Sequence, residues 1–433
     1  MISSRIPAWS VAAAFAVGLM LSPDALMLHG VSAGYAGQWI VWLTLLVFIF
    51  HWCNGVGYSR LFDLYQGPQA ELALIKEAWG SLPALLIALA SRFVLFACLS
   101  TGLLVTAGFV FNEVFLYWFP NFSFAALLLA VLFMVNLLGR RAALWSQVVF
   151  TGAAFLCLLV LCAAGYAAGG PETAHIAAAE TPARIPSAIF LLLLVFIGCD
   201  LAGFVRGEHE RTSAATRFGM LAGMTIVFML FLVWNWLSIT HVSLARLSDT
   251  TIPHILVAKA LLGQTGRVLI GLAAIFGTCA AVNALLFCTH QMISSMVQLE
   301  LVPRQAARRF ARVPIALVLL ALCPGVMMAT GLAGTPELDI FVRAGLWFWL
   351  LGYGIVHLGL LVLQKHTAQR QDCAHSGLYR FLSAMIVCFS AAALCGMLVY
   401  YEAPLLLFKY LLWIAIGAGM ISMASIRLRK ATG

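Results

Sequence analysis

Two acids and one base lie inside otherwise apolar runs, and their chemistry limits what the chain can do. Asp24 follows a proline in Gly18-Leu-Met-Leu-Ser22-Pro23-Asp24-Ala25, and Asp200 sits in Phe196-Ile197-Gly198-Cys199-Asp200-Leu201-Ala202-Gly203. Proline removes a backbone donor and clashes with the preceding turn, so a helix through Pro23 breaks beside the acid. The glycines flanking Asp200 weaken a helix there for a different reason, the backbone entropy they lose. Carbonyls freed at a break, next to a carboxylate, make a pocket suited to a cation or an ammonium group. Ser22, Pro23, Asp24, Ala25, Gly198, Cys199 and Asp200 are therefore the expected binding residues. A carboxylate in apolar surroundings also needs a partner, a proton or water, which suits Asp200 to carrying a proton. Arg92 lies about ten residues into its own apolar run and needs an anion. Asp24 and Asp200 are the candidates by type, and the bland alternative is a side chain that snorkels to the interface.

Other chemistries find no residues to carry them. The ten histidines form no HExxH pattern, and the eleven cysteines form no CxxC pair; no metal site, cofactor or disulfide framework is expected. Cys98, Cys157, Cys162 and Cys388 fall within apolar runs, where free cysteine acts as a small hydrophobe. No nucleophile–base cluster stands out, so an enzyme is not expected.

The elements that must position these groups follow from composition. The chain has 433 residues, 63% hydrophobic and 9% charged, whereas soluble domains carry about 25% charged residues. A water-soluble globule is excluded. The 25 Lys+Arg against 16 Asp+Glu give a net +9, but they gather in short runs between apolar segments. That is the pattern of positive loops on one face of a bilayer, not of a nucleic-acid partner. With both ends on one side, the 60–76, 140–141, 206–217, 304–312 and 365–380 stretches share that side, while Arg184, Arg246, Lys259, Arg267 and Arg343 fall opposite. Both termini are expected in the cytoplasm, in a bacterial inner membrane.

The apolar runs give about twelve spans by the ~20-residue criterion: 8–34, 37–62, 82–111, 122–138, 142–168, 186–205, 217–241, 266–299, 313–333, 338–364, 378–400 and 404–427. Unbroken runs such as Ala125 to Val135 exclude the alternating strands of an outer-membrane barrel. Trp39, Trp42, Trp118, Trp234 and Trp236 fall near span ends, as an aromatic belt would. The interrupted spans are the first and the sixth. Breaks at matching positions of two halves point to a transporter's midplane site.

These segments resemble the amino acid–polyamine–organocation (APC) superfamily of permeases, in the family's order over almost the whole chain. LSPDALMLHGVSAGYAG, from Leu21, is similar to its unwound first helix. VNLLGRRAALWSQVVFT carries an N-x-x-G…Q…T pattern at Asn136, Gly139, Gln147 and Thr151. FIGCDLAGFVRGEHERT resembles its sixth-helix segment, with Asp200 in the place of a glutamate. AVNALLFCTHQMISSMVQLELVPRQAARRFARVPIA is the most specific piece, through the spacing of Asn283, Pro303 and Pro314.

The resemblance implies a single all-α transporter domain of two inverted five-helix repeats (about 8–168 and 186–364) and two added helices (about 378–427). It also implies binding between broken helices one and six, with alternating access that is proton-coupled or by exchange. Three departures bear on chemistry. The family's glycine-rich break is Ser22-Pro23-Asp24 here, the coupling lysine of helix five is Ala154, and the family's Ser-Arg pair in helix eight is Thr289-His290. Coupling is accordingly expected from Asp200, Arg92 and His290. The leading expectation is a permease for an amino acid or small organic amine; the alternative is a sensor or assembly partner built on a permease scaffold.

Overall fold

The computed structural model describes residues 6–167, 169, 184–206, 214–303, 313–367, 376–400 and 403–432, and every regular element among them is helical. The chain runs through α1 (Ala8–Val17), α2 (Pro23–Ala36), α3 (Ile40–Leu64), α4 (Ala70–Trp79), α5 (Ser81–Ile87), a π-helical turn (Ala88–Phe93) and α6 (Val94–Val114). It continues through α7 (Asn121–Leu137), α8 (Arg140–Ala167), α9 (Ile185–Val195), a 3-10 turn (Cys199–Val205), α10 (Ala214–His241), α11 (Leu244–Asp249) and α12 (Pro253–Gln298). The last four helices are α13 (Val313–Ala329), α14 (Pro336–Thr367), α15 (Ser376–Tyr400) and α16 (Pro404–Thr432).

Nine of the described segments are long and apolar enough to cross a membrane, and three shorter apolar helices join them (Ala8–Val17, Asn121–Leu137 and Ile315–Ala329). Both expected interruptions are present. The first span divides into α1 and α2, and the sixth into α9 and the 3-10 turn. The third is also interrupted, by the π turn. The expected 266–299 span starts earlier: α12 begins at Pro253 and bends at Leu262 and Gly263, whose φ is 57°. The 170–183 and 304–312 connections, which carry part of the orientation argument, lie outside the described residues.

The chain divides into two compact units. The first comprises Met1–Trp52, Leu103–Cys199 and Phe218–Ala284. Within it α2 packs on α9 and α11, and α1 packs on α8. Rings fill its interior: Phe48 stacks on Phe228 at 4.0 Å, and Phe196 meets Phe231 edge-on at 6.0 Å. Trp39, Trp42, Trp118 and Trp236 are exposed, as interfacial anchors must be, whereas Trp234 is buried and belongs to the core.

The second unit comprises Cys53–Gly102, Asp200–Arg217 and Leu285–Gly433. Its centre is α14, which packs on α15, α4, α16 and the π turn. Ala90, Ala344, Phe348, Leu407, Leu411 and Ile414 form one of its apolar clusters. The outward residues of α16, such as Leu405, Phe408, Trp413 and Met420, are exposed and apolar. A surface of that composition suits lipid.

Candidate functional site

In the first unit, the break in helix one is a helix start built into the sequence. Ser22 is the N-cap of α2 and its Oγ accepts from the Ala25 backbone N–H at 3.3 Å. Pro23 occupies the first helical position, where its missing donor costs nothing. Asp24 falls in the first turn, where a carboxylate complements the positive helix end. Ser22, Pro23 and Ala25 are buried and Asp24 is half-buried. The helix-six break is a turn at Phe196–Gly198, and Gly198 adopts φ 122°, a conformation open mainly to glycine. Gly198 and Cys199 are both buried.

A polar relay fixes the end of α1. The Ala14 carbonyl accepts from Gln147 Nε2 at 3.1 Å and from Thr151 Oγ1 at 3.3 Å. Gln147 Oε1 accepts from Asn283 Nδ2 at 2.8 Å, and Asn283 Oδ1 accepts from Asn136 Nδ2 at 2.9 Å. All four side chains are buried. The N…Q…T pattern and Asn283 are therefore one hydrogen-bonded chain that ends on the backbone of helix one. Two glycines allow the close approach around helix one: a Cβ on Gly18 would lie 2.5 Å from Gln147 Nε2 of the relay, and one on Gly277 would lie 2.1 Å from the Leu21 carbonyl oxygen.

The second unit holds a buried cluster of one basic and two acidic side chains. Arg92 projects from the π turn and is 4% exposed. Its Nη2 donates to Asp200 Oδ2 and to Glu71 Oε2, the latter at 3.0 Å. The guanidinium carbon lies 3.8 Å from the centroid of the Trp349 ring, an arrangement worth about 2 kcal/mol when desolvated. Asp200 Oδ1 accepts from Trp349 Nε1 at 3.1 Å and from Tyr353 Oη at 2.6 Å. Three side chains thus hold the Asp200 carboxylate, while Arg92 is the hydrogen-bond donor to Glu71. Burial pushes the Glu71 pKa up and the nearby Asp200 charge adds to that, while Arg92 opposes both.

Of the two anions the sequence offers Arg92, the fold selects Asp200, and snorkelling is overturned because the guanidinium is buried between acids. His290 lies on α12, half-buried, and is not a partner of this cluster; its carbonyl accepts from Ser294 Oγ at 3.5 Å. Glu71 escaped sequence reasoning because α4 lies between the expected 37–62 and 82–111 spans, outside the apolar runs where a buried charge is expected. A signal was present: Glu71, Leu74, Ile75 and Ala78 follow helical spacing, so the acid lies on the apolar face. Trp349, Tyr353 and His357 form a second such stripe, at i, i+4, i+8 on α14. His357 meets Asn54 Oδ1 at 3.0 Å and Ser383 Oγ at 3.2 Å.

A family model described as amino acid permease matches residues 8–426. No curated protein matches the chain significantly. The match covers nearly the whole length, including both helix breaks, the Asn136–Gln147–Thr151–Asn283 relay and the charged cluster. This multi-pass, all-helical chain belongs to the amino acid permease family of the APC superfamily.

Proposed function

We propose that the chain is a secondary transporter for an amino acid or small organic amine, working by alternating access with proton coupling or exchange. It would have twelve spans arranged as two inverted repeats plus two helices, with both termini in the cytoplasm of a bacterial inner membrane. Substrate binds at the helix breaks, through Ser22, Pro23, Asp24 and Ala25 of helix one and Gly198 and Cys199 of helix six. Asp200, Arg92 and His290 are the coupling groups in this reading.

One observation carries the preference for an amine: the start of α2 is already capped by its own side chain. An uncapped helix N-terminus offers N–H groups and a positive dipole to a carboxylate. Here Ser22 Oγ takes the Ala25 N–H, Pro23 has no N–H to give, and Asp24 brings a negative charge into the first turn. A substrate carboxylate gains less there than in a glycine-lined break, and an ammonium gains the Asp24 charge. Competition binding with amino acids and their decarboxylated amines tests this. Amines are expected to compete at least as well as their parents; if every amine is inert while its parent competes, the amine-biased site is wrong.

A further inference from the structure

The charged cluster of the second unit contains one cation and two acids, all buried. An unbalanced charge in a low-dielectric interior is costly unless a proton neutralises it. The geometry points to Glu71 as a proton-binding site, with Arg92 and Asp200 as the fixed ion pair beside it and a water-sized cavity as its access. The inference rests on the transport reading and deepens it by adding Glu71, beside the Arg92–Asp200 pair, as the acid of the cluster that binds the proton.

The two acids are not equivalent. Asp200 receives hydrogen bonds from three side chains, Arg92, Trp349 and Tyr353. Glu71 receives them from Arg92, through the same Nη2 that serves Asp200. The less solvated acid takes the proton. Arg92 Nη1 is buried and makes no hydrogen bond. A cavity with room for about one water molecule is lined by Glu71, Ser91, Arg92, Phe204 and Met292. A water there can meet both the free Nη1 and the Glu71 carboxyl, giving the proton a carrier.

Among the described residues, the surroundings of Glu71 contain no second base. α14 presents Trp349, Gly352 and Tyr353, the π turn presents Arg92, and the 3-10 turn presents Asp200 and Phe204. Tyr58 of α3 faces Tyr353 edge-on at 5.6 Å, and Cys288 of α12 bonds the Leu201 carbonyl beside Asp200. On α4 itself, Lys76 donates to the Leu299 carbonyl at 2.7 Å, and Glu77 accepts from Tyr65 at 2.6 Å. The π turn is a second mark of function, since such turns are frequent at functional sites. With Glu71 neutral, the cluster is one balanced pair and α4 stays seated on α14. With Glu71 ionised, the cluster carries a net negative charge that only water or a new cation relieves.

Infrared difference spectroscopy of the purified full-length protein, titrated with acid and base in the absence of substrate, tests the assignment. A protonated-carboxyl stretching band is expected, lost with a midpoint above the ordinary glutamate range. Glu71→Gln should remove the band and Asp200→Asn should retain it. In wild-type protein carrying 13C-labelled glutamate the band should shift, which tests the assignment without any substitution. A band that ignores glutamate labelling, or that survives Glu71→Gln, overturns the proposal. Ligand binding measured on the same sample keeps the two readings apart: binding with no glutamate band refutes the Glu71 site alone, and a band with no binding by any amino acid or amine refutes the substrate reading alone.

Discussion

Replacing Arg92 with Met keeps the unbranched apolar stem and removes the guanidinium. The structure then loses Nη2 contacts to two buried carboxylates and the stacking on Trp349. Removing one partner of a buried ion pair typically costs about 3–5 kcal/mol, because the other charge is left uncompensated. Asp200 retains the Trp349 and Tyr353 donors, whereas Glu71 is left with no hydrogen-bond donor among the described residues. The deficit therefore depends on pH, with a definite sign. Arg92 is the group that lowers the Glu71 pKa against burial, so its loss moves that pKa further up and favours the neutral acid. Arg92→Met should cost about 3–5 kcal/mol at pH above neutrality and less in acid, where protonation removes the unpaired charge. Adding Glu71→Gln to the variant should return about 1–3 kcal/mol at the alkaline end, since contacting residues are not additive. Reversible unfolding in mixed micelles at two pH values measures all of this. An Arg92→Met protein within about 0.5 kcal/mol of wild type at both pH values, the range of an ordinary surface change, would refute the argument.

Asp24→Asn should weaken an amine ligand by about 1.5–3 kcal/mol, the worth of a hydrogen bond to a charged group, or roughly ten- to a hundred-fold in Kd; equal affinity by calorimetry would remove Asp24 from the site. Because burial raises the Glu71 pKa in the folded state, its stabilisation is full below the unfolded value of about 4.3 and is lost as pH rises through the folded value. Glu71→Gln should accordingly flatten the fall of thermal stability with rising pH, and an unaltered pH profile would contradict the shift. Gln147→Leu leaves the Asn283 amide short of an acceptor and the Ala14 carbonyl short of a donor; a cost of about 1–3 kcal/mol is expected, read as a drop in Tm. For orientation, a cysteine placed at Gln305 should resist an impermeant reagent applied from outside while one at Thr173 reacts, and the reverse pattern would invert the topology.

Much of the frame was legible in the chain. Expected span limits such as 122–138 and 404–427 lie close to α7 and α16, because unbroken apolar runs between charged stretches leave a helix few alternatives. Ser22-Pro23-Asp24 marked the first break, yet the same residues also spell cap, first position and acidic first turn. That second meaning explains why the break ends in an ordered helix start. The polar relay was visible only as spacing, since nothing local links Asn283 to a carbonyl on α1. The partner of Arg92 was legible only as a choice of two: Asp200 lies 108 residues away and Asp24 was equally suitable by type. Glu71 was hidden by the polarity of its neighbours, which outweighed one acid on an apolar face. The π turn left no mark either, as Ala88–Phe93 contains nothing foreign to an ordinary helix.

That turn ties the charged cluster to chain length rather than to residue type. A π turn holds more residues per turn than an α-helix, so it is a local surplus in the chain. Each residue of an α-helix advances about 100° around the axis. Deleting one residue between Ala88 and Phe93 would restore a continuous α-helix with α5 and α6 close to their present register, because the wide turn is what absorbs the surplus residue. The residues of the turn itself would change direction by up to that step, and Arg92 would leave Glu71 and Asp200. No substitution reproduces that change. A length change in the third span is therefore the event by which a relative would gain or lose this buried cation, even with every side chain of the cluster retained.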